Sequence, residues 1–305
     1  MRDYMAYFNG EWVPFSRVMI HPHDRGFTMS DVVFDMARTF NGKPFLLGEH
    51  VDRLYRSLKY LRLDPGLSLQ EMTEISYDAV RRNEHYRAEV GDFRITQFVT
   101  RGTTHGGDIH KVASPTVCVN VEPVAFEVFA RLYVEGAHAI IVRTRSYTSD
   151  VVEPKVKHQS RLNFVLADLE ARDVDPQGMP LLLDRDGNVT EGRGYNVFLV
   201  SGGVLKTPTD RSVLQGITRG FVMTLARQLG IPLAEEDLQP YDLYTADEVF
   251  FTRTSPGISP VSQVDGRHIG DEIPGPVTRH LLAAYSERVG LDIVDQALRF
   301  AGMRG

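Results

Sequence analysis

Near its middle the chain reads Asn188-Val189-Thr190-Glu191-Gly192-Arg193-Gly194-Tyr195-Asn196-Val197-Phe198. A carboxylate followed by two glycines and an asparagine, ahead of an apolar run, is typical of a strand, a tight backbone passage and a second strand. Such a passage can hold one acid against a bound molecule, although an exposed glutamate in an ordinary hairpin is the alternative. The motif therefore predicts a functional Glu191 if other parts of the chain supply a ligand site.

Three further motifs supply the parts of such a site. Pro154-Lys-Val-Lys157 lies upstream, and Leu214-Gln-Gly-Ile-Thr218-Arg219 and Thr252-Arg-Thr-Ser-Pro-Gly257 lie downstream. A lysine, an acid and two small-residue turns rich in backbone N–H groups suit a phosphorylated aldehyde cofactor with a basic ring nitrogen.

The order of these four motifs resembles the fold-type IV pyridoxal-phosphate enzymes. These class IV aminotransferases include branched-chain, D-amino-acid and (R)-amine transaminases and aminodeoxychorismate lyase. The resemblance extends from about Tyr7 to about His280. It implies pyridoxal 5′-phosphate as the cofactor and at least a homodimer, with small-domain loops completing a pocket near the subunit boundary.

The pattern of predicted elements also bears on the fold class. Strands and helices interleave without a repeated βαβ period, which favours a mixed α+β fold over a doubly wound one. The resemblance implies a small N-terminal α/β domain and a larger C-terminal domain with a mixed, barrel-like sheet. We expect domains at 1–122 and 134–305, with a linker at 123–133.

Composition limits the classes of function. With 42% hydrophobic and 24% charged residues, the 305 residues are those of a globular protein able to bury one large core or two ordinary ones. The net charge of −6 gives no general attraction to nucleic acid or anionic membranes. The one cysteine, Cys118, excludes an internal disulfide framework and fits a reducing compartment. Because no signal sequence or membrane-spanning stretch is visible, we expect a cytoplasmic protein.

Few lysines are available to form a Schiff base with the cofactor. Lys155 and Lys157 are one residue apart, and in an extended segment both side chains point to the same face, so spacing alone does not choose between them. Surface lysines are the alternative for both. By the resemblance, Lys157 is the Schiff-base lysine and moves the proton between the substrate Cα and the cofactor.

The resemblance assigns the remaining cofactor contacts residue by residue. Arg53, on a predicted amphipathic helix, would bind the phosphate through its two parallel N–H donors; a surface arginine is the alternative. Glu191 would keep the ring nitrogen protonated. The predicted helix that begins at Gly216-Ile217-Thr218 offers an anion site at its N-terminus. The full predicted set is Arg53, Lys157, Glu191, Leu214, Ile217, Thr218, Thr254 and Ser255.

Arg193 departs from the serine or threonine that the family commonly has after this Glu-Gly pair. Two interpretations stay open. The guanidinium either competes for the Glu191 carboxylate, or it turns away toward solvent or a second subunit.

Three residues are predicted to contact the substrate: Phe34, Arg38 and Arg94. Phe34-Asp-Met-Ala-Arg38 aligns with the branched-chain pattern, except that a methionine replaces a glycine. Arg94 aligns with an arginine that receives the distal carboxylate of the keto-acid acceptor. Structural ion pairs are the alternative for both arginines.

Other features of the sequence favour other donors. Met29-Ser30-Asp31 resembles the (R)-amine transaminases, whereas the loop Thr103–Asp108 lacks the arginine that D-amino-acid and (R)-amine enzymes have there. The donor class therefore stays open between D-amino acids or primary amines and branched-chain L-amino acids.

The sequence as a whole predicts a transaminase that moves an amino group from an amino acid or primary amine to a 2-keto acid in two half-reactions. Within the same fold, an aminodeoxychorismate lyase is the alternative. From other classes, the alternatives are a cofactor-binding module without turnover and a metal hydrolase using His21, His23 and His105. These histidines lack an accompanying acidic helix motif, so we expect no metal site.

Overall fold

A computed structural model of the chain describes residues 3–104, 108 and 114–303. Their contacts divide the chain into two units, and each combines a sheet with helices, which confirms the predicted α+β class. The first unit is Met1–Val124 with Val156–Ser160, and the second is Ala125–Lys155 with Arg161–Gly305. His105, one of the histidines weighed for a metal site, lies outside the described residues, as do residues 106 and 107 of the glycine-containing loop.

The first unit is built on an antiparallel sheet of six strands in the order β2-β1-β6-β5-β3-β4. The strands are β1 (Met5–Phe8), β2 (Glu11–Pro14), β3 (Val32–Phe40), β4 (Lys43–Phe45), β5 (Phe93–Thr100) and β6 (Thr116–Pro123). The helices are α1 (Arg25–Met29), α2 (Leu47–Tyr60), α3 (Leu69–Asn83) and α4 (Arg87–Val90).

Local signals in the sequence explain where these elements begin and turn. Asn9 and Gly10 both have positive φ, of 49° and 98°, as a two-residue hairpin turn requires. Ser68 begins α3 through a capping box in which its side chain and that of Glu71 bond each other's backbone N–H groups.

Strand β3 separates its side chains onto two faces of the sheet because alternate residues of a strand point in opposite directions. Val33 and Ala37 belong to the same buried core as the apolar residues of α2 and α3. Asp35 lies between them on this helix-covered face. Phe34, Met36 and Arg38 therefore project from the other face.

The second unit contains nine strands and six helices among its described residues. The strands are β7 (Ala137–Arg145), β8 (Gly178–Leu183), β9 (Val189–Gly192), β10 (Tyr195–Ser201), β11 (Val204–Pro208), β12 (Leu233–Glu236), β13 (Glu248–Arg253), β14 (Gly257–Val264) and β15 (Arg267–His268). The helices are α5 (Leu132–Glu135), α6 (Leu162–Val174), α7 (Ile217–Gln228), α8 (Pro240–Tyr244), α9 (Pro276–Val289) and α10 (Ile293–Phe300).

Six strands of the second unit close into a ring. The order runs β10-β13-β14-β7-β8-β9, and β9 pairs again with β10. β11 and β12 extend the sheet from β10, and β15 pairs with β14. The ring is the barrel-like sheet that the sequence predicted for the larger domain.

The stretch predicted as a linker, 123–133, is mostly part of the second unit. The boundary between the units falls after Val124, and Phe126 and Phe129 are buried. Phe126 stacks on Phe300 at the end of α10, with 5.2 Å between ring centroids. Helix α10, which the sequence analysis did not predict, begins where the Asp292 side chain accepts hydrogen bonds from two backbone N–H groups.

Candidate active site

Lys157 lies in the first unit, beside the start of β3. The Phe34 N–H donates to the Lys157 carbonyl at 3.0 Å, and the Gln159 N–H donates to the Val32 carbonyl at 3.3 Å. On the helix side, the Lys157 N–H donates to Ser57 Oγ of α2 at 3.2 Å. The segment Val156–Ser160 thus pairs with the edge of β3 opposite β5, and these bonds fix the backbone of the lysine.

The structure separates the two lysines that spacing could not distinguish. Lys157 Nζ lies 4.7 Å from the ring centroid of Phe34, within cation–π range. Lys155 belongs to the second unit, and its ammonium is 3.9 Å from Glu153. Of the two, Lys157 is the one fixed beside other predicted site residues.

Arg53 projects from α2 into a buried ion pair with Asp35. Its Nε and Nη2 donate to the two carboxylate oxygens, each at 2.8 Å. His50, one helical turn earlier, places Nδ1 2.7 Å from Asp35 Oδ1. All three side chains are at most 4% exposed, so α2 and β3 are joined here by charge as well as by apolar packing.

The electrostatics of this cluster fix its charge state. Burial opposes ionisation of Asp35, but the Arg53 charge and the hydrogen bonds from His50 and Arg53 outweigh it and hold the pKa of Asp35 well below its usual value. Burial lowers the pKa of His50; Asp35 opposes the shift, while the charges of Arg53 and Lys157 add to it. The cluster is therefore a carboxylate, a guanidinium and a neutral imidazole at neutral pH.

Arg38 and Arg94, the two predicted substrate arginines, are Cα partners on β3 and β5. The Arg38 side chain is only 3% exposed, and its Nη2 lies 3.8 Å from Asp92. Its guanidinium also lies 3.9 Å from the ring centroid of Phe40. These contacts favour a structural ion pair for Arg38 over the predicted substrate contact, because the group is already enclosed.

Arg94 is more accessible than Arg38. Its side chain is 32% exposed, and Nη2 donates to Glu122 of β6 at 3.2 Å. The Cα partners of Phe34 and Met36 on β5 are Phe98 and Thr96. The sheet face next to Lys157 therefore runs from an aromatic end at Phe34 to a charged end at Arg94.

In the second unit, Glu191 is held by its neighbours on the ring of strands. Its Cα partner on β10 is Asn196, whose Nδ2 donates to Glu191 Oε2 at 3.1 Å. The Leu214 N–H donates to the same oxygen at 3.1 Å, and the Leu214 carbonyl accepts from Asn196 Nδ2 at 3.0 Å. Glu191 and Leu214, predicted from separate motifs, are brought together through Asn196.

Two glycines allow this close approach. A Cβ on Gly216 would lie 2.1 Å from Asn196 Oδ1, and a Cβ on Gly192 would lie 2.1 Å from the Tyr195 ring and 2.5 Å from the Pro180 carbonyl. A side chain at Gly216 would displace Asn196, which holds Glu191, and a side chain at Gly192 would meet the residues packed on the turn that follows Glu191.

Ile217 and Thr218 form the first turn of α7, and Thr218 is buried. Gly216 caps this helix and has no side chain with which to bond its first N–H groups. Thr254 and Ser255 lie in the turn between β13 and β14 and are half-buried. These positions give the second unit a helix N-terminus and a hydroxyl-bearing turn, both suited to an anion.

Arg193 does not compete for Glu191. Its Nη1 donates to Asp168 of α6 at 2.9 Å, and its side chain is 55% exposed. Gly194, with φ of 85°, turns the chain after it. Of the two interpretations of Arg193, the structure favours the one in which the guanidinium turns away from the acid.

Sequence reasoning missed Asp35, His50 and Ser57 as parts of this cluster. A signal was present, since Asp35 is the one charge inside an apolar strand before Arg38, and His50 and Arg53 share a helix face at i and i+3. Among residues 3–104, 108 and 114–303, no cluster of side chains could hold a metal ion. Within the same ranges, no helix combines the length and apolarity needed to cross a bilayer.

Comparison with known proteins decides the family. A model of the family described as amino-transferase class IV matches residues 32–264, which is most of the chain. The chain belongs to the class IV aminotransferases. Because enzymes of this family use pyridoxal 5′-phosphate, the match confirms both the predicted cofactor and the predicted enzyme class.

Relatives of this aminotransferase include both branched-chain and D-alanine aminotransferases, so they leave the donor class open. It is 38% identical to a putative branched-chain-amino-acid aminotransferase of Methanocaldococcus jannaschii, over 95% of this chain and 99% of that protein. It is also 30% identical to the D-alanine aminotransferase of Staphylococcus aureus (strain N315), over 93% and 97% of the two chains.

Solved structures confirm the fold-type IV architecture of this aminotransferase. A branched-chain amino acid aminotransferase of Escherichia coli superposes with a TM-score of 0.87 at 30% identity, over 94% of each chain. The branched-chain aminotransferase of the archaeon Thermoproteus uzoniensis, solved with norvaline, gives a TM-score of 0.85 at 28% identity, over 99% of this chain and 98% of that one.

Proposed function

We propose that this aminotransferase transfers amino groups from branched-chain L-amino acids to a 2-keto acid, with Lys157 as the catalytic residue. The observation that carries this assignment is the placement of Lys157: its backbone is bonded to β3 and α2, and its amine lies over Phe34. A lysine held on both sides beside a shaped sheet face is a suitable carrier for a cofactor and a proton.

The residues of the second unit fit the requirements of pyridoxal 5′-phosphate. Glu191 is buried, accepts hydrogen bonds from two neutral donors at Oε2 and lies close to the half-buried Leu214, so it would bind the ring nitrogen. Ile217, Thr218, Thr254 and Ser255 would bind the phosphate through backbone N–H groups and hydroxyls. When bound, the cofactor supplies an electron sink for the charge left at the substrate Cα.

The residues of the first unit perform the other tasks. Lys157 would attach the cofactor through its amine and, once displaced by the donor, move the proton at the substrate Cα. Arg53, whose guanidinium is oriented by Asp35, would donate hydrogen bonds to the phosphate. In the second unit, Glu191 would retain its negative charge throughout, so that the ring nitrogen stays protonated while electrons move toward it.

The sheet face next to Lys157 supports the choice of donor class. Phe34, Met36 and Phe98 offer an apolar surface for a branched aliphatic side chain. Arg94 lies four residues from Phe98 along β5, roughly 13 Å away. A guanidinium at that end would bind the distal carboxylate of an acceptor that is a 2-keto dicarboxylic acid.

Mixing the purified, cofactor-loaded protein separately with L-leucine, D-alanine and (R)-1-phenylethylamine tests this proposal. We expect L-leucine alone to convert the visible absorption of the bound cofactor to that of the pyridoxamine form. Conversion by D-alanine instead would show that the donors are D-amino acids and not branched-chain L-amino acids. A yellow protein inert to all three donors would favour the lyase or the binding module, and a protein that never becomes yellow would contradict the assignment of Lys157.

Replacing Glu191 by glutamine should lower kcat by on the order of 10²-fold, because the ring nitrogen loses the negative charge that keeps it protonated. The measurement is the single-turnover rate with L-leucine at saturating cofactor. Glu248→Gln is a matched control: this buried carboxylate accepts hydrogen bonds from the Val277 and Thr278 N–H groups at the start of α9. Equal rate losses in the two variants would contradict the role of Glu191.

We also propose a homodimer in the cytoplasm. The resemblance supports the dimer, and a single cysteine that is buried on β6 fits a reducing compartment. The small-domain loops would then complete the pocket of the partner subunit.

A further inference from the structure

Asp35 is the centre of a hydrogen-bonded chain of groups that ends at Lys157. Its carboxylate holds the Arg53 guanidinium on two sides. The Arg53 carbonyl accepts from Ser57 Oγ at 3.0 Å, and Ser57 Oγ in turn accepts from the Lys157 N–H at 3.2 Å. One turn of α2 therefore connects the buried ion pair to the backbone of the lysine.

Within this hydrogen-bonded group of residues, the Asp35 carboxylate balances the positive charge of Arg53. The groups that face the carboxylate are Arg53 and His50 from α2, and Gln97, a neutral amide, is its Cα partner on β5. Lys157 comes from the paired segment and lies close enough for its charge to act on His50. Because His50 is neutral, the carboxylate of Asp35 is the charge in this chain that offsets the buried guanidinium of Arg53.

His158, the other titratable residue of the segment Val156–Ser160, forms a hydrogen bond within the segment. His158 Nδ1 accepts a hydrogen bond from the Ser160 N–H at 3.1 Å, which requires an unprotonated nitrogen. Lys157 therefore experiences a neutral Arg53–Asp35 pair in the intact protein. Without Asp35 it would experience the guanidinium without that opposing charge, in a low-dielectric surrounding.

We propose that Asp35 is a positioning residue for the reaction: it fixes Arg53 and cancels its charge, so that the amine of Lys157 keeps the proton affinity needed to attach and release the cofactor. The inference rests on the proposed function of Lys157, but the electrostatic effect exists in the cofactor-free protein as well. Asp35 lies outside the predicted set of cofactor contacts, yet by this inference it controls the proton affinity of Lys157.

The direct test is the pH dependence of Lys157 acylation in the cofactor-free protein, measured by competitive labelling with acetic anhydride and mass spectrometry. We expect Asp35→Asn to lower the pKa of the Lys157 amine by on the order of one unit, because the unbalanced Arg53 charge disfavours the ammonium form. Asp35→Glu keeps the charge, so the pKa of Lys157 in this variant should stay close to that of the parent protein. In the cofactor-loaded protein, the pH at which the visible absorption changes should fall by a similar amount.

Asp92→Asn, directly before β5 of the same sheet, is the matched control. Asp92 is also a fully buried carboxylate, and it accepts hydrogen bonds from Thr39 Oγ1 at 2.5 Å and the Gly42 N–H at 2.9 Å. Its substitution should lower the melting temperature without moving the pKa of Lys157. An Asp35→Asn protein with an unshifted lysine, or equal shifts in the two variants, would overturn the proposal.

Two further variants keep the test decisive if Asp35→Asn does not fold. Arg53→Gln leaves the Asp35 charge uncompensated and should raise the pKa of Lys157, the opposite direction. The double variant Asp35→Asn/Arg53→Gln removes both charges and should return the lysine to near its original pKa. A shift of the same sign in Arg53→Gln and Asp35→Asn, or none in Arg53→Gln, would overturn the proposal even if the protein proves not to be a transaminase.

Discussion

A Lys157→Ala variant should lose transaminase turnover by on the order of 10⁴-fold or more, because in the proposed function one amine both attaches the cofactor and moves the proton at the substrate Cα. The fold should survive, since the hydrogen bonds that pair the segment with β3 and Ser57 come from backbone groups of Lys157 and Gln159 and remain in the variant. Turnover with L-leucine, the visible spectrum and a thermal melt are the three measurements.

Lys155→Ala is the control that the sequence itself supplies. Lys155 lies two positions away, with its side chain 38% exposed and 3.9 Å from Glu153, so its removal should leave turnover within about twofold of the unmodified protein. If Lys155→Ala loses activity and Lys157→Ala keeps it, the catalytic assignment belongs to the other lysine.

Replacing Gly192 by alanine should destabilise the second unit by about 2–3 kcal/mol, the cost of overpacking a site that cannot yield easily. The added Cβ would meet a buried tyrosine ring at 2.1 Å and a backbone carbonyl at 2.5 Å. Tyr195 cannot swing away freely, because its hydroxyl donates to that same Pro180 carbonyl at 2.6 Å. The connection between β9 and β10 must move, and Glu191 moves with it.

Urea unfolding and cofactor titration would measure the two consequences of this substitution separately. Gly220→Ala on α7 is the control, because a Cβ there has nothing within 4 Å and alanine favours a helix. We expect that variant to be as stable as the parent or more so. A Gly192→Ala protein with unchanged stability and unchanged cofactor affinity would mean that β9 and β10 are not constrained as described.

The sequence predicted those features whose physics is local. The strand, turn and strand predicted around Glu191 depend on residues within a few positions of one another. The family resemblance added the order of distant motifs, and with it the fold class and cofactor. Neither required knowledge of which surfaces pack together.

What the sequence could not supply depends on long-range packing. The two interpretations of Arg38 differ only in whether Asp92, 54 positions away, lies beside it, and no periodicity reveals that distance. Spacing could not choose between Lys155 and Lys157; the resemblance favoured Lys157, and only the structure shows that this lysine pairs with β3. The burial of Phe126, within the predicted linker 123–133, is another such feature, because its partner Phe300 lies near the far end of the chain.

Because Val156–Ser160 pairs with β3, the sheet of the first unit is completed only after part of the second unit has been synthesised. A ribosome that has completed residue 124 has made all six strands of the first unit, yet the outer edge of β3 still lacks the backbone groups that will cover Val32–Phe34. An uncovered strand edge can pair with other chains. The first unit therefore stays incomplete until about 30 further residues of the second unit have emerged, and the stretch that completes it carries Lys157. A nascent chain thus gains Lys157 and the finished sheet of its first unit in the same step.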